Sequence, residues 1–453
     1  MKKTLVAMAA LTAVAAFAQT TDGKPGVQIQ GNFNGGYQAN SYKGVKVSGF
    51  DQNGAGTSQI NIRVLEDLGG GMAAYARVEN DMSIMNNATN QGIIPGYSAP
   101  NTTAPGVGSL MVTTANTGVI KTTSGIAGTW GNGELAVGMR SPIGDFAFGA
   151  LNNAGLNYIV ATTLPTQGTS FAGGYGMTLG ADPSMASVRW ANSFRYLSPT
   201  IGGVQASFIY AAKQDNGTGT ISTKTGVAST TTSLGVGLNN QIGAKELGLK
   251  YANGPLTAAG VYAQTSVSNF CAAPTTTATA NMATTTAAGN NPCYVTNGTL
   301  ATAVDQSQDA KQTSFAASYA LPSGFLVSAA MQNTTLGALG SGSTVGDVSS
   351  RKATTYNLQY ESGVHKVFTT LGYVKEGATA SSKNAYTGKF VGLGYNYALS
   401  KNTSLVARYE SFQDDTNVLQ LKSGDVSAYT QTQGTVAADT KRIRSMLGIN
   451  MNF

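Results

Sequence analysis

The stretch KRIRSMLGINMNF, residues 441–453, alternates residue by residue. Ile443, Leu447, Ile449, Met451 and Phe453 fall on one face; Arg442, Arg444, Gly448, Asn450 and Asn452 fall on the other. Period two is the signature of a strand with one apolar and one wet face. Chain ends fray unless something ties them down. A strand that carries large apolar side chains to its last residue must be paired in a sheet whose apolar face meets something apolar.

The same rhythm recurs along the chain. Ile60, Ile62 and Val64 oppose Gln59, Asn61 and Arg63. Met72, Ala74, Ala76 and Val78 oppose Tyr75, Arg77 and Glu79. Leu135, Val137 and Met139 oppose Glu134, Gly138 and Arg140. Val188, Trp190, Phe194 and Tyr196 are set against Arg189, Ser193 and Arg195, and Val391, Leu393, Tyr395 and Tyr397 against Gly392, Gly394 and Asn396. One face is apolar throughout, and the other is polar, small or cationic. A soluble sandwich turns its apolar face to a second sheet, whereas an outer-membrane barrel turns it to lipid and lines a lumen with the other.

Connections separate these two readings. Short turns at 65–71, 131–134, 198–203, 253–255, 321–324, 361–365 and 400–403 alternate with long stretches near 82–122, 141–187, 214–240, 267–311, 334–350, 376–386 and 413–440. Short turns on one side and long loops on the other form the barrel pattern. So many long loops would count against a compact soluble domain. The spans predict about sixteen antiparallel strands, from 26–41 and 55–65 through 123–131 and 133–140 to 403–412 and 441–453. The segment 231–240 reads as a loop or as an extension of the strand after it. Sixteen is even, as single-chain bacterial barrels require, and such barrels enclose an aqueous channel. If the last strand pairs with the first, its edge disappears.

Residues 1–18, MKKTLVAMAALTAVAAFA, have a positive start, a short apolar run and an A-x-A site. They are expected to be a cleaved signal peptide, leaving 19–453 as one barrel. Charged residues make up only 11% of the chain and glycines number 57, which argues against helical bundles and solvated tails. The formal charge of +7 becomes +5 once the two lysines of residues 1–18 are removed. Nucleic acid is not an expected partner, because no basic cluster or zinc spacing occurs. A dispersed positive balance instead biases a pore toward anions.

The segments AGTSQINIRVLEDLGGGMAAYARVEN, GTWGNGELAVGMRSP, VRWANSFRYLSPTIGGVQASFIYA, YANGPLTAAGVYAQ and the Phe-terminated end carry a resemblance. In order and spacing the chain resembles the Gram-negative general porins of the trimeric kind, especially the betaproteobacterial branch. The resemblance implies a homotrimer in outer-membrane lipid and lipopolysaccharide, placed there by the barrel-assembly machinery, with Phe453 as assembly signal. It implies passive diffusion of small hydrophilic solutes and ions, with no cofactor or metal. It also implies that the loop 141–187 folds inward as the third external loop, and that lumen arginines form a basic ladder. Arg63, Arg77, Arg140, Arg189 and Arg195 are the expected ladder, and Arg408 also faces the lumen. Pairing with Glu79, Glu134 or Glu410 is the alternative role for these arginines. Asp145 is expected on the inward loop facing them, and Asp182 as a turn cap before Pro183. Gln59 stands where some relatives carry another arginine.

Cys271 and Cys293 are the only cysteines, and in an oxidising compartment they are expected to pair. His365 is the only histidine and has no partners for catalysis. A substrate-selective channel, for organic acids or phosphate, is the main rival. A barrel enzyme would need an external His/Asp or Ser/His group, and an anchor would need repeats or a further domain. The sequence offers none of these.

Overall fold

The computed structural model describes residues 25–42, 45–52, 58–82, 133–163, 189–219, 238–271, 304–305, 308–336, 350–376, 386–414 and 440–453. The strands are β1 (Gly26–Tyr42), β2 (Val45–Gln52), β3 (Gln59–Gly69), β4 (Met72–Asp81), β5 (Leu135–Ser141), β6 (Gly144–Asn152), β7 (Arg189–Leu197), β8 (Val204–Gly219) and β9 (Leu238–Asn253). They continue as β10 (Leu256–Cys271), β11 (Val304–Asp305), β12 (Gln308–Ala320), β13 (Phe325–Leu336), β14 (Ser350–Ser362), β15 (His365–Glu376), β16 (Tyr386–Ala398), β17 (Thr403–Asp414) and β18 (Thr440–Asn452).

Every pairing is antiparallel, and β18 pairs back onto β1, with Asn32 opposite Asn452 and Tyr42 opposite Arg442. Sixteen strands complete the closed wall. β2 and β3 together line one edge of β1, at Gly35–Tyr42 and Gly26–Asn32, and the two-residue β11 only extends the β10 hairpin. Closure removes the exposed edge that a terminal strand would otherwise present.

The terminus is pinned as its alternation requires. Gly31 and Phe453 exchange both backbone hydrogen bonds, at 2.9 and 3.0 Å. The Phe453 ring lies 5.2 Å from that of Phe33. A Cβ on Gly31 would stand 2.3 Å from the Phe453 ring, so only glycine admits the closing aromatic.

The strand count agrees with the sequence, but one strand stands elsewhere. The expected strand at 123–131 lies outside the described residues. β4 pairs directly with β5. In the count the place of 123–131 is taken by β6, GDFAFGALN, which the sequence reading assigned to a loop. A tight turn joins β5 to β6 at Ser141–Gly144. Gly144 makes that turn at φ +139°, where a Cβ would strike the Leu197 carbonyl.

Alternation sets the two faces. Val137, Phe148, Leu247, Leu249, Phe315, Tyr356 and Leu447 point outward and are exposed, while Arg63, Glu134, Ser207, Glu246, Gln332 and Thr355 point inward. Trp190 departs from the reading. A bulge between β6 and β7, with Asn192 at φ 52°, shifts the phase and turns the indole inward, where it is 6% exposed.

Candidate functional site

After β6 the chain turns into the lumen. Residues Gly155–Val160 form a π-helical turn, followed by a short helical turn at Ala161–Thr163. The segment packs against β9, β10, β12 and β13. Small inward residues make room for it. Tyr158 and Ile159 cluster with Ala211, Ala244, Ala259, Ala316 and Ala330. A Cβ on Gly248 would come within 2.8 Å of the Tyr158 ring. Glu246 anchors the segment's start: one carboxylate oxygen accepts the Ala154 N–H at 2.6 Å and the other accepts the Trp190 indole N–H at 2.6 Å.

On the wall formed by β3–β7, charged side chains converge. Arg63, Arg77, Glu134, Arg140, Asp145 and Arg195 line one recess. Period two places them: Arg63 is opposite Arg77, and Arg140 is opposite Asp145. Glu134 ties the group together. It pairs with Arg77, pairs with Arg195 at 2.9 Å, and accepts the backbone N–H of Asn152 at 3.0 Å. Glu79 joins Arg77 to Arg189, the latter at 2.6 Å. Asp145 takes Arg140 Nε at 3.2 Å and the Tyr75 hydroxyl at 2.6 Å, with the Arg140 guanidinium 5.4 Å above the Tyr75 ring. Farther round the wall Arg444 pairs with Glu410 at 2.7 Å. Arg408 lies over Phe368 and donates to the carbonyls of Tyr395 and Ala407.

The five expected ladder arginines thus all face inward, and the paired alternative describes Arg77, Arg140, Arg189 and Arg195. Pairing does not cancel the charge. Arg63, Arg77, Arg140, Arg189 and Arg195 carry five positive charges against three from Glu79, Glu134 and Asp145, leaving an excess of two.

Asp145 is a correction in position. It is the second residue of β6, beside a short turn, and belongs to the wall rather than to the inward loop. The alternation of Asp145 and Ala147 against Phe146 and Phe148 was the signal. Asp182 lies outside the described residues. Cys271 ends β10, but its side chain and the whole of Cys293 lie outside the described residues, and so does the expected disulfide. His365 sits at a short-turn end with Nδ1 2.8 Å from the Tyr395 hydroxyl. Sequence reasoning missed Glu246 and Tyr75. A lone acid on an otherwise Ala- and Gly-rich inner face was the available cue for the first.

Comparison with known proteins agrees with this geometry. A family model described as Gram-negative porin matches residues 4–417. Among solved structures, the chain is similar to an anion-selective porin from Comamonas acidovorans, at 17% identity and a TM-score of 0.57, over 95% of this chain and 100% of that one. It is similar to the trimer form of OmpT from Vibrio cholerae, at 11% identity and 0.51, over 94% and 99%. It is also similar to Salmonella typhi OmpF in complex with daunomycin, at 12% identity and 0.52, over 94% and 97%. At these identities the likeness is one of fold. No curated protein sequence matches the chain.

Proposed function

The chain belongs to the Gram-negative porin family, an outer-membrane channel by that membership, and from this premise we propose that it passes small hydrophilic solutes by diffusion with a mild preference for anions. The observation that carries the preference is the excess of two positive charges in the β3–β7 recess. Paired arginines still present N–H donors to the lumen, and the unbalanced charge sets a potential that draws anions and repels cations. The anion-selective porin named above is consistent with this sign. Family and fold point to a channel rather than an enzyme.

The finer parts of the reading follow the family. The protein works as a homotrimer in lipid and lipopolysaccharide, after loss of residues 1–18 and insertion by the barrel-assembly machinery, with Phe453 as the recognised end. The Cys271–Cys293 bridge braces the loop after β10. Arg140, with 31% of its side chain exposed, is the most open of the five ladder arginines to passing ions.

Swelling of liposomes that carry the purified protein tests the diffusion claim. Rates should fall smoothly with solute size and rise linearly with concentration. Saturation by one organic acid or by phosphate would replace the diffusion reading with a substrate-selective channel.

A further inference from the structure

Lys250 stands on the inner face of β9, in phase with Glu246 and Gly248, and is partly exposed. Its register partners are Gln205 on β8 and Ala259 on β10. It is three residues from Asn253, where β9 enters its short turn. Three residues span about 10 Å of strand. At a tilt near 40° that is about 8 Å along the membrane normal. Short turns are periplasmic in outer-membrane barrels, so the ammonium belongs to the periplasmic mouth.

The inward segment roofs this lysine. Gly248, the next inward residue toward the outside, lies against the Tyr158 ring, where a Cβ would come within 2.8 Å. The Tyr158 hydroxyl donates to Oε1 of Gln205 at 3.1 Å, and Gln205 is directly opposite Lys250. Glu246 lies four residues farther out along β9, about 14 Å of strand, and its two carboxylate oxygens accept from Ala154 and Trp190.

The charge on Lys250 is unopposed. Between Gln205 and Ala211 on β8, Thr257 and Thr265 on β10, and Gln312 and Ser318 on β12, no inward residue is charged. Among the described residues no hydrogen bond or ion pair engages Lys250. Other inward cations differ. Arg77, Arg140, Arg189 and Arg195 hold carboxylates, Lys366 holds Glu361 at 2.9 Å, and Arg408 holds two carbonyls. A paired cation has much of its field cancelled by its partner, whereas a single one reaches as far as screening lets it. A lysine ammonium is a compact, strongly hydrated point charge without the fork of arginine, which suits attraction at a distance more than the seating of an ion.

We propose that Lys250 is a steering residue of the periplasmic mouth: it raises the entry of small anions from that side and repels small cations, apart from the arginine recess on β3–β7. Charge at a rim acts mainly on entry rate and on its salt dependence. Roofed by Tyr158, Lys250 acts on one mouth, so its effect on current depends on polarity. The inference rests on the diffusion reading and names a residue that sets ion preference at one end of the channel.

Single-channel current in symmetric solutions of the chloride of a bulky organic cation provides the test, because chloride then carries the current. At 0.01 M salt the Debye length is about 30 Å, and one charge about 7 Å from a passing ion changes its local concentration about twofold. K250Q should therefore lower the current about twofold at the polarity that draws chloride in through the periplasmic mouth, and leave the other polarity unchanged. At 1 M, with a Debye length of about 3 Å, the difference should shrink to roughly 10%. K250R, which keeps the charge, should match wild type. K250C in the C271S/C293S background assigns the side. A cationic methanethiosulfonate should restore the lost current, and should react faster from the side whose chloride entry the variant had lost. Equal loss at both polarities, no loss at low salt, or faster reaction from the opposite side would overturn the proposal. A wild-type reversal toward potassium in a KCl gradient would refute the anion preference of the whole channel, and the polarity comparison would still decide on Lys250.

Discussion

Glu134→Gln isolates the charge balance of the recess. Glu134 is 1% exposed and holds Arg77, Arg195 and the Asn152 N–H. Glutamine keeps the shape and one acceptor but removes the charge. The recess then carries four positive charges against one, so its excess rises from two to three. One unit charge about 7 Å from a passing ion is worth about 0.6 kcal/mol in water. Salt near 0.1 M, with a Debye length of about 10 Å, halves this to about 0.3 kcal/mol. The change favours chloride and disfavours potassium by similar amounts, so their permeability ratio should rise about threefold. Breaking a buried pair costs about 3–5 kcal/mol when an ion is left alone. Arg77 keeps Glu79, but buried Arg195 loses its carboxylate partner, so the folding cost should fall within that range. The assay is the reversal potential of single channels across a KCl gradient, with heat-modifiable gel mobility to confirm a folded barrel. A folded variant whose ratio is unchanged or lower would refute the reasoning, because the recess would then not set the pore's potential.

Other substitutions separate the remaining claims. Arg140→Ala should lower the chloride preference about threefold by the same arithmetic, and adding Asp145→Asn should restore it. Loss that persists in the double variant would point to a contact other than charge. Glu246→Gln leaves one acceptor for two buried donors, so the segment 153–163 should loosen. Single-channel records should show more frequent subconductance steps, and records as quiet as wild type would count against the anchor. Gly31→Ala should weaken the closing seam by about 1–3 kcal/mol through overpacking against Phe453. Phe453→Ala should recover part of that loss, read as the temperature at which the folded band disappears on a gel. Intact-mass measurement before and after reduction should find Cys271 and Cys293 joined, and thiols free without reductant would remove the bridge.

Much of the fold was legible because a barrel wall repeats one rule. Each strand exposes every second side chain to an apolar surround, so the rule survives even where glycine interrupts it. The seam was legible for the same reason, since Phe453 continues the phase of Ile443 to the end. The error at β6 came from the reverse condition. Its inward residues are Asp145 and Ala147, its tight turn depends on the φ of Gly144, and its neighbours 153–163 leave the sheet at once. Local pattern alone could not mark where the wall ended. Trp190 was misplaced because a bulge shifts phase without any change in composition. The arginines were readable as inward, but their partners were not: Glu134 and Arg195 meet across strands that are 61 residues apart in sequence.

The central claim is that the charge excess of the β3–β7 recess gives the pore its mild preference for anions. The reversal potential of the unmodified channel in a planar bilayer, across a KCl gradient, tests it most directly. A reversal toward the chloride equilibrium potential is the predicted result. A reversal toward the potassium equilibrium potential would contradict the account, because the recess excess of two charges would then not govern what passes.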